Sequence, residues 1–498
     1  MYKFIYYLLN LFLGISVAQL LSFNSTAMKL VGLIILAAHS FIIFHIFHDE
    51  FLFIIYTLSL CIMGTGDYLG GIAFAPVVVL ISYLLFKGKF FIKDKFIGIC
   101  LLVLFITNIL GYLVKNPSDS MDVFQSMVMF TGFIITFIYL QNCKFTQLQV
   151  RYIILTTTFL SFILFVVALN QKFVFIDSSL FLLGANPGYP SVSSVKYAFE
   201  GRFPSLFGDY ELFSEFALLM FILGFSLFMD KNASQYFKLG YSPLLLMIVS
   251  FLNILITGTR SGFILIFAFI FLFFIFRSAT LFTNKALILG SFLIIMIPII
   301  INFGDLFGFD IISNRLKEID LTRLSVNSLV TGEEINRGYV YAEGYKRIGE
   351  ENWTLGYGYG VSHSNSLAWL GNLGPLGSNI KDFHSLYLCI PMIYGWIGGI
   401  AYLALIIYTI ILLFKSSIKR ENSSYRGILT AFAFMFTFFL INEIKINSLR
   451  SYNYHFLIWI LVAMALAINA NSHITNIVRN KTNRTNPKVS SSKFIRED

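Results

Sequence analysis

Residues 241–277 read YSPLLLMIVSFLNILITGTRSGFILIFAFIFLFFIFR. The runs 241–257 and 261–277 hold no Asp, Glu, Lys or Arg before the terminal Arg277. Each is close to the roughly 20 apolar residues that cross the hydrocarbon core of a bilayer as a helix. Their junction, Thr257-Gly258-Thr259-Arg260-Ser261-Gly262, is built of turn formers around one arginine. Two membrane helices joined by a tight turn are therefore expected here.

Similar runs fill the rest of the chain. Candidate spans lie at about 5–23, 28–47, 51–64, 69–86, 96–114, 122–140, 152–170, 211–229, 241–257, 261–277, 286–303, 394–414, 427–443 and 454–471, fourteen in all. The first run is longer than the apolar region of a secretory signal and reads as a retained helix. The 498 residues are 57% hydrophobic and 12% charged, with mean hydropathy +0.77. A soluble domain carries about a quarter charged residues, which excludes that class. An outer-membrane barrel would show short alternating strands instead. The fold class is all-α, a polytopic integral membrane protein of about fourteen helices.

Lys and Arg mark cytoplasmic loops. With the N-terminus inside, the inner segments 87–95, 141–151, 230–240, 277–285, 415–426 and 472–498 hold 20 Lys or Arg against 5 Asp or Glu. His48-Asp49-Glu50 is the exception. The net charge of +10 is thus a topology signal that also attracts anionic lipid, and nucleic acid is not an expected partner. The organisation that follows is N-terminal helices in 1–170, a first outer loop in 171–210, and central helices in 211–303. A large outer loop in 304–384, C-terminal helices in 385–471 and a basic, disordered cytoplasmic tail in 472–498 complete it. Cys61, Cys100, Cys143 and Cys389 suggest no disulfide framework.

Chemistry-capable side chains collect in the outer segments. Arg260 sits where charge patterning asks for no cation. It either caps helix carbonyls or presents a guanidinium fork to phosphate. Arg202, in Gly201-Arg202-Phe203-Pro204-Ser205-Leu206-Phe207-Gly208-Asp209-Tyr210, poses the same choice, with Asp209 or Glu211 as an alternative surface partner. In the large loop, Thr331-Gly332-Glu333-Glu334 has the form of a capping box and predicts a helix from about 332, with Arg337, Tyr341, Tyr345 and Ile348 on one face. Gly356-Tyr357-Gly358-Tyr359-Gly360 permits a tight, irregular backbone. The aromatic residues around it either stack on sugar rings or form an interfacial belt. His384 closes the loop at the mouth of the next span, where an imidazole either accepts a proton or caps the helix. No His-Glu-x-x-His, phosphate-loop or Asp-x-Asp motif is present. Few ionisable residues sit mid-span, Glu215 and Glu443 lying near span ends, which argues against an ion-coupled transporter.

The order of these pieces resembles the O-antigen polymerase/O-antigen ligase superfamily of bacterial surface-polysaccharide assembly. Over about 195–415 the resemblance rests on Arg202 to Gly208, on Thr257 to Gly262, on the arginine helix and Gly-x-Gly stretch, and on His384-Ser385 before Tyr394-Gly395-Trp396-Ile397-Gly398-Gly399. The family more often has His-Asn where His384-Ser385 stands. The resemblance implies a C-type glycosyltransferase architecture in the bacterial inner membrane, with both termini cytoplasmic and the active site on the periplasmic face. Its donor is an undecaprenyl-diphosphate-linked oligosaccharide, and its reaction uses neither nucleotide nor metal, so no cofactor. Arg202, Arg260 and Arg337 are then candidate diphosphate ligands and His384 the candidate base. Asp209 and Glu215 are weaker alternatives, and Tyr341, Gly356 and Gly358 would support the glycan. The span number favours a polymerase, with a chain-length regulator as partner, over a ligase that transfers polymer to lipid A-core. A lipid-linked oligosaccharide flippase is the reading from a different class.

Overall fold

The computed structural model describes residues 94–115, 120–173, 202–207, 209–277, 353–359, 385–419, 424–450 and 452–485, with isolated positions elsewhere. Its helices are α1 (Lys95–Lys115), α2 (Ser120–Gln141), α3 (Gln147–Phe173), α4 (Tyr210–Met229), α5 (Lys231–Tyr236), α6 (Ser242–Thr257), α7 (Arg260–Arg277), α8 (Leu386–Lys419), α9 (Arg426–Asn442) and α10 (Tyr452–Thr485). Short 3-10 turns stand at Ser205–Phe207 and Ser448–Arg450, and no strand occurs among the described residues.

Each predicted span that falls on described residues is a helix. Two limits differ. The helix expected at 394–414 begins earlier, at Leu386, because it continues through a break at Gly395. The last helix continues to Thr485, so the expected disorder of the tail fails over 472–485. Its polar side chains do not stop a helix already nucleated in the membrane. The spans before 94, the span 286–303 and the helix expected from 332 lie outside the described residues.

Five helices among the described residues are long and apolar enough to cross a membrane: 95–114, 147–173, 210–229, 386–419 and 454–472. α1 shows how lipid is met. Ile99, Leu102, Ile106, Leu110 and Leu113 recur every three or four residues and are 42–61% exposed, while Ile97, Leu101, Leu104 and Tyr112 are buried. An exposed apolar stripe of that length is untenable in water and ordinary against lipid tails. α4 and α10 are instead buried along most of their length. α4 packs along α6 and α9, α8 against α1 and α9, α6 against α3, and α10 against α2. The chain is a polytopic α-helical membrane protein.

Contacts between helix ends fall into two sets. One joins Gln171 to Ser205, Ser214 to Thr259, and Lys445 to Ser261. The other joins Asp94 to Tyr408, Cys143 to Asn471, and Phe237 to Tyr425. The first set links only segments that charge patterning puts outside, the second only segments it puts inside.

At the first end α8 is broken. Pro391 lacks an amide hydrogen, and Gly395 has φ 71° and ψ 173°, a conformation essentially closed to residues with a Cβ. Residues 353–359 dock on the opened backbone. The amides of Tyr357 and Gly358 donate to the carbonyls of Met392 and Ile393 at 2.8 and 2.9 Å, and Trp396 donates to Trp353 at 2.7 Å. The Asn108 side chain accepts from the Tyr359 amide at 2.8 Å and the Tyr112 hydroxyl donates to the Tyr359 carbonyl. A Cβ on Gly356 would run into the Ile393 carbonyl. Non-helical backbone at membrane depth is tolerated where protein satisfies it, and here it does. G395A is expected to destabilise the protein by about 1–3 kcal/mol, read as a lower thermal midpoint in detergent. An unchanged midpoint would show that the break does not hold this strap.

Candidate functional site

The site is built from the first turns of α4 outward. Asp209 is the N-cap, its carboxylate accepting from the amides of Glu211 at 2.8 Å and Leu212 at 3.1 Å. That commitment makes Asp209 a helix-starting residue. Arg202 donates to the Tyr210 hydroxyl at 2.6 Å and its guanidinium lies 4.7 Å from the centre of the Tyr210 ring. The segment that carries it is held to α3. Gln171 and the Ser205 backbone exchange two hydrogen bonds, at 2.9 and 3.1 Å, and the Ser205 hydroxyl donates to the Leu164 carbonyl at 2.6 Å.

The turn between α6 and α7 meets the same face of α4. Gly258, at φ 62°, ends α6 and its amide returns to the Leu255 carbonyl. Thr257 bonds the Ile254 carbonyl at 2.7 Å and lies 3.0 Å from the Thr259 hydroxyl. Thr259 is hydrogen-bonded in turn to Ser214. α7 then starts at Arg260, which is half-buried. Tyr210 and Ser214 are four residues apart, so the loops bearing Arg202 and Arg260 are anchored about 6 Å apart along one helix face. The positive ends of α4 and α7 point the same way as these cations.

A third segment, between α9 and α10, closes the arrangement. Asn442 donates to Glu215 at 2.5 Å, and Tyr454 lies against that carboxylate. Glu443 accepts from the Ser448 amide and hydroxyl at 3.0–3.1 Å. Lys445 donates to the Ser261 hydroxyl at 2.7 Å and stands 3.9 Å from Glu211. Leu386, two residues after His384 in sequence, donates its amide to the carbonyls of Glu443 and Ile446 at 3.0 Å. Glu211, Glu215 and Glu443 are almost fully buried. Carboxylates there are tolerated because the surrounding donors replace water.

Of the residues singled out by sequence, Arg202, Arg260, Asp209 and Glu215 meet around the start of α4. Gly356 and Gly358 belong to the strap on α1 and α8, where their function is close backbone approach. His384, Arg337 and Tyr341 lie outside the described residues. Sequence reading missed Lys445 and the buried roles of Glu211, Asn442 and Glu443. The signal was the polar string Asn442-Glu443-Ile444-Lys445-Ile446-Asn447 at the edge of an apolar run. His455 is fully buried, accepts from the Trp459 indole at 2.8 Å and packs on Tyr359 and Tyr402, so it serves the core. Among the described residues no group of three His, Cys, Asp or Glu side chains is placed to hold a metal ion.

The arrangement brings Arg202, Arg260 and Lys445 to one end of the helix bundle, beside the buried carboxylates of Glu211, Glu215 and Glu443. Such a site suits an anion presented at a membrane surface. No curated protein matches the chain. The O-antigen ligase family model matches residues 245–403, which include the α6–α7 turn, the strap and the broken half of α8. That match supports membership in the O-antigen polymerase/ligase superfamily.

Proposed function

We propose that the protein polymerises surface polysaccharide, transferring a growing undecaprenyl-diphosphate-linked glycan to the non-reducing end of a new lipid-linked repeat unit. In this reading it is a C-type glycosyltransferase of fourteen spans in the bacterial inner membrane, with cytoplasmic termini and a periplasmic active site. The acceptor hydroxyl attacks the anomeric carbon of the donor, the carbon–oxygen bond to the diphosphate breaks, and undecaprenyl diphosphate leaves. Arg202, Arg260 and Arg337 stabilise the charge that grows on the leaving group, the term that preorganised donors supply best. His384 accepts the hydroxyl proton. The chemistry asks for neither metal nor nucleotide, and a chain-length regulator is the expected protein partner.

The observation that carries this reading is the anchoring of the Arg202 and Arg260 loops on consecutive turns of α4. A ligase that transfers finished polymer to lipid A-core is the second reading, favoured by the description of the matching family. One experiment separates them. R260A is expected to lower transfer by about 10²–10³-fold and H384A by about 10²–10⁴-fold. On a gel of surface polysaccharide, a lost polymerase leaves lipid A-core bearing one repeat unit. A lost ligase leaves bare core while lipid-linked polymer accumulates, and a lost flippase leaves single lipid-linked units facing the cytoplasm. Normal ladders from both variants would remove these residues from the mechanism.

Sidedness has its own test. S261C and F383C, flanking Arg260 and His384, are expected to react with an impermeant thiol reagent added outside intact spheroplasts, the native cysteines being replaced. Labelling of the two positions from opposite faces would dissolve the proposed site.

A further inference from the structure

We propose that Lys445 is a further cation of the diphosphate site and that Glu211 is its positioning residue, an inference that rests on the transfer reaction above. Lys445 lies in the short segment joining α9 to α10, on the side where charge patterning gives no reason for a lysine. Its ammonium reaches across to the first residues of α7, 2.7 Å from the Ser261 hydroxyl. Ser261 follows Arg260 directly, and Glu211 follows Tyr210, the residue on which Arg202 rests. Lys445 thus links the first turns of α4 and α7, on which Arg202 rests and from which Arg260 projects.

The Glu211 carboxylate stands at ion-pair distance, 3.9 Å, and with the Ser261 bond it draws the ammonium to the starts of α4 and α7. Glu211 is buried and Lys445 is 34% exposed, so the cation is reachable by a ligand where the carboxylate is not. A diphosphate diester gains one negative charge when the glycan departs. Arginine forks clamp phosphate oxygens in fixed geometry, whereas a lysine is a compact charge on a flexible stem that can follow the leaving oxygen. Neutralising that gain is a task the arrangement gives to Lys445.

A plain tether between the α9–α10 segment and α7 is the competing account, and the two differ in what they move. The test uses the full chain in nanodiscs. Affinity for undecaprenyl diphosphate and for undecaprenyl monophosphate is measured by native mass spectrometry, with KM and kcat taken from polymer formation. K445M is expected to weaken diphosphate binding by at least about 10-fold and to narrow its preference over the monophosphate. K445R should keep most of that preference. E211Q should raise KM without matching the loss in K445M, and E211D should restore it. S261A removes the tether and keeps the charge, so it should leave the diphosphate preference near the wild-type value. If K445M and S261A lower the thermal midpoint alike and both bind diphosphate as the wild type does, Lys445 is a tether and the proposal is overturned. If R260A weakens diphosphate binding and K445M does not, the proposal falls while the transferase reading stands. If the wild type does not prefer diphosphate over monophosphate, the transferase reading fails and this inference with it.

Discussion

The start of α4 carries more of this structure than any other turn. Asp209 caps it, Tyr210 supports Arg202, Glu211 stands beside Lys445, Ser214 bonds Thr259, and Glu215 receives Asn442. These residues reach three other chain segments, and α4 itself is buried along its length. A helix so enclosed has no lipid face to tune and little freedom to shift. The polar residues at its mouth are therefore fixed in position by the apolar packing below them, as the cations around a charged ligand have to be.

Backbone satisfaction sets the second constraint. A break in a membrane-spanning helix strands carbonyls and amides in a medium with no water to take them up. α8 breaks at Gly395, and residues 353–359 fill the gap with three backbone hydrogen bonds. This ties the interior of the large polar segment 304–384 to the core at the level of the break. Trp353 and Tyr359, both buried, add apolar area to that attachment. A glycine-rich stretch that might pass for a sugar platform is, on its contacts, the anchor by which the outer segment grips the bundle.

How far the sequence could be read follows from which forces act locally. The membrane helices α1–α4 and α6–α10 were legible because hydropathy is a local property and lipid imposes it directly, whereas the short α5 fell inside a segment read as an inner loop. The tight α6–α7 turn was legible from Gly258 and its neighbours. The docking of Gly356 on Ile393 was not, since it joins residues distant in the chain whose only mark is small size. Lys445 was hidden for another reason. Placed among isoleucines at the edge of a span, it reads as an ordinary interfacial lysine, and its bond to Ser261 depends on two loops folding to the same point. Asp209 shows the same limit: an acid near an arginine suggests pairing or catalysis, and its capping of the α4 amides was not part of that reading.

Where polar residues sit along the bundle bears on the class of protein. A transporter needs polar and broken backbone near the middle of the membrane, facing a path between repeated halves. Here the ionisable side chains of the described helices gather at their ends. Glu211, Glu215, Glu443, Arg202, Arg260 and Lys445 share one end, and Asp94 and Asp230 lie toward the other. Between them α4, α6, α7 and α9 are joined by aromatic rings, with Phe221, Phe225, Phe269, Phe273 and Phe434 in mutual contact. A tight aromatic interior resists opening, because each ring lost from such packing costs contact on several sides. That interior suits a rigid support for chemistry at the membrane surface. It suits poorly a device that must pass a charged glycan through its centre.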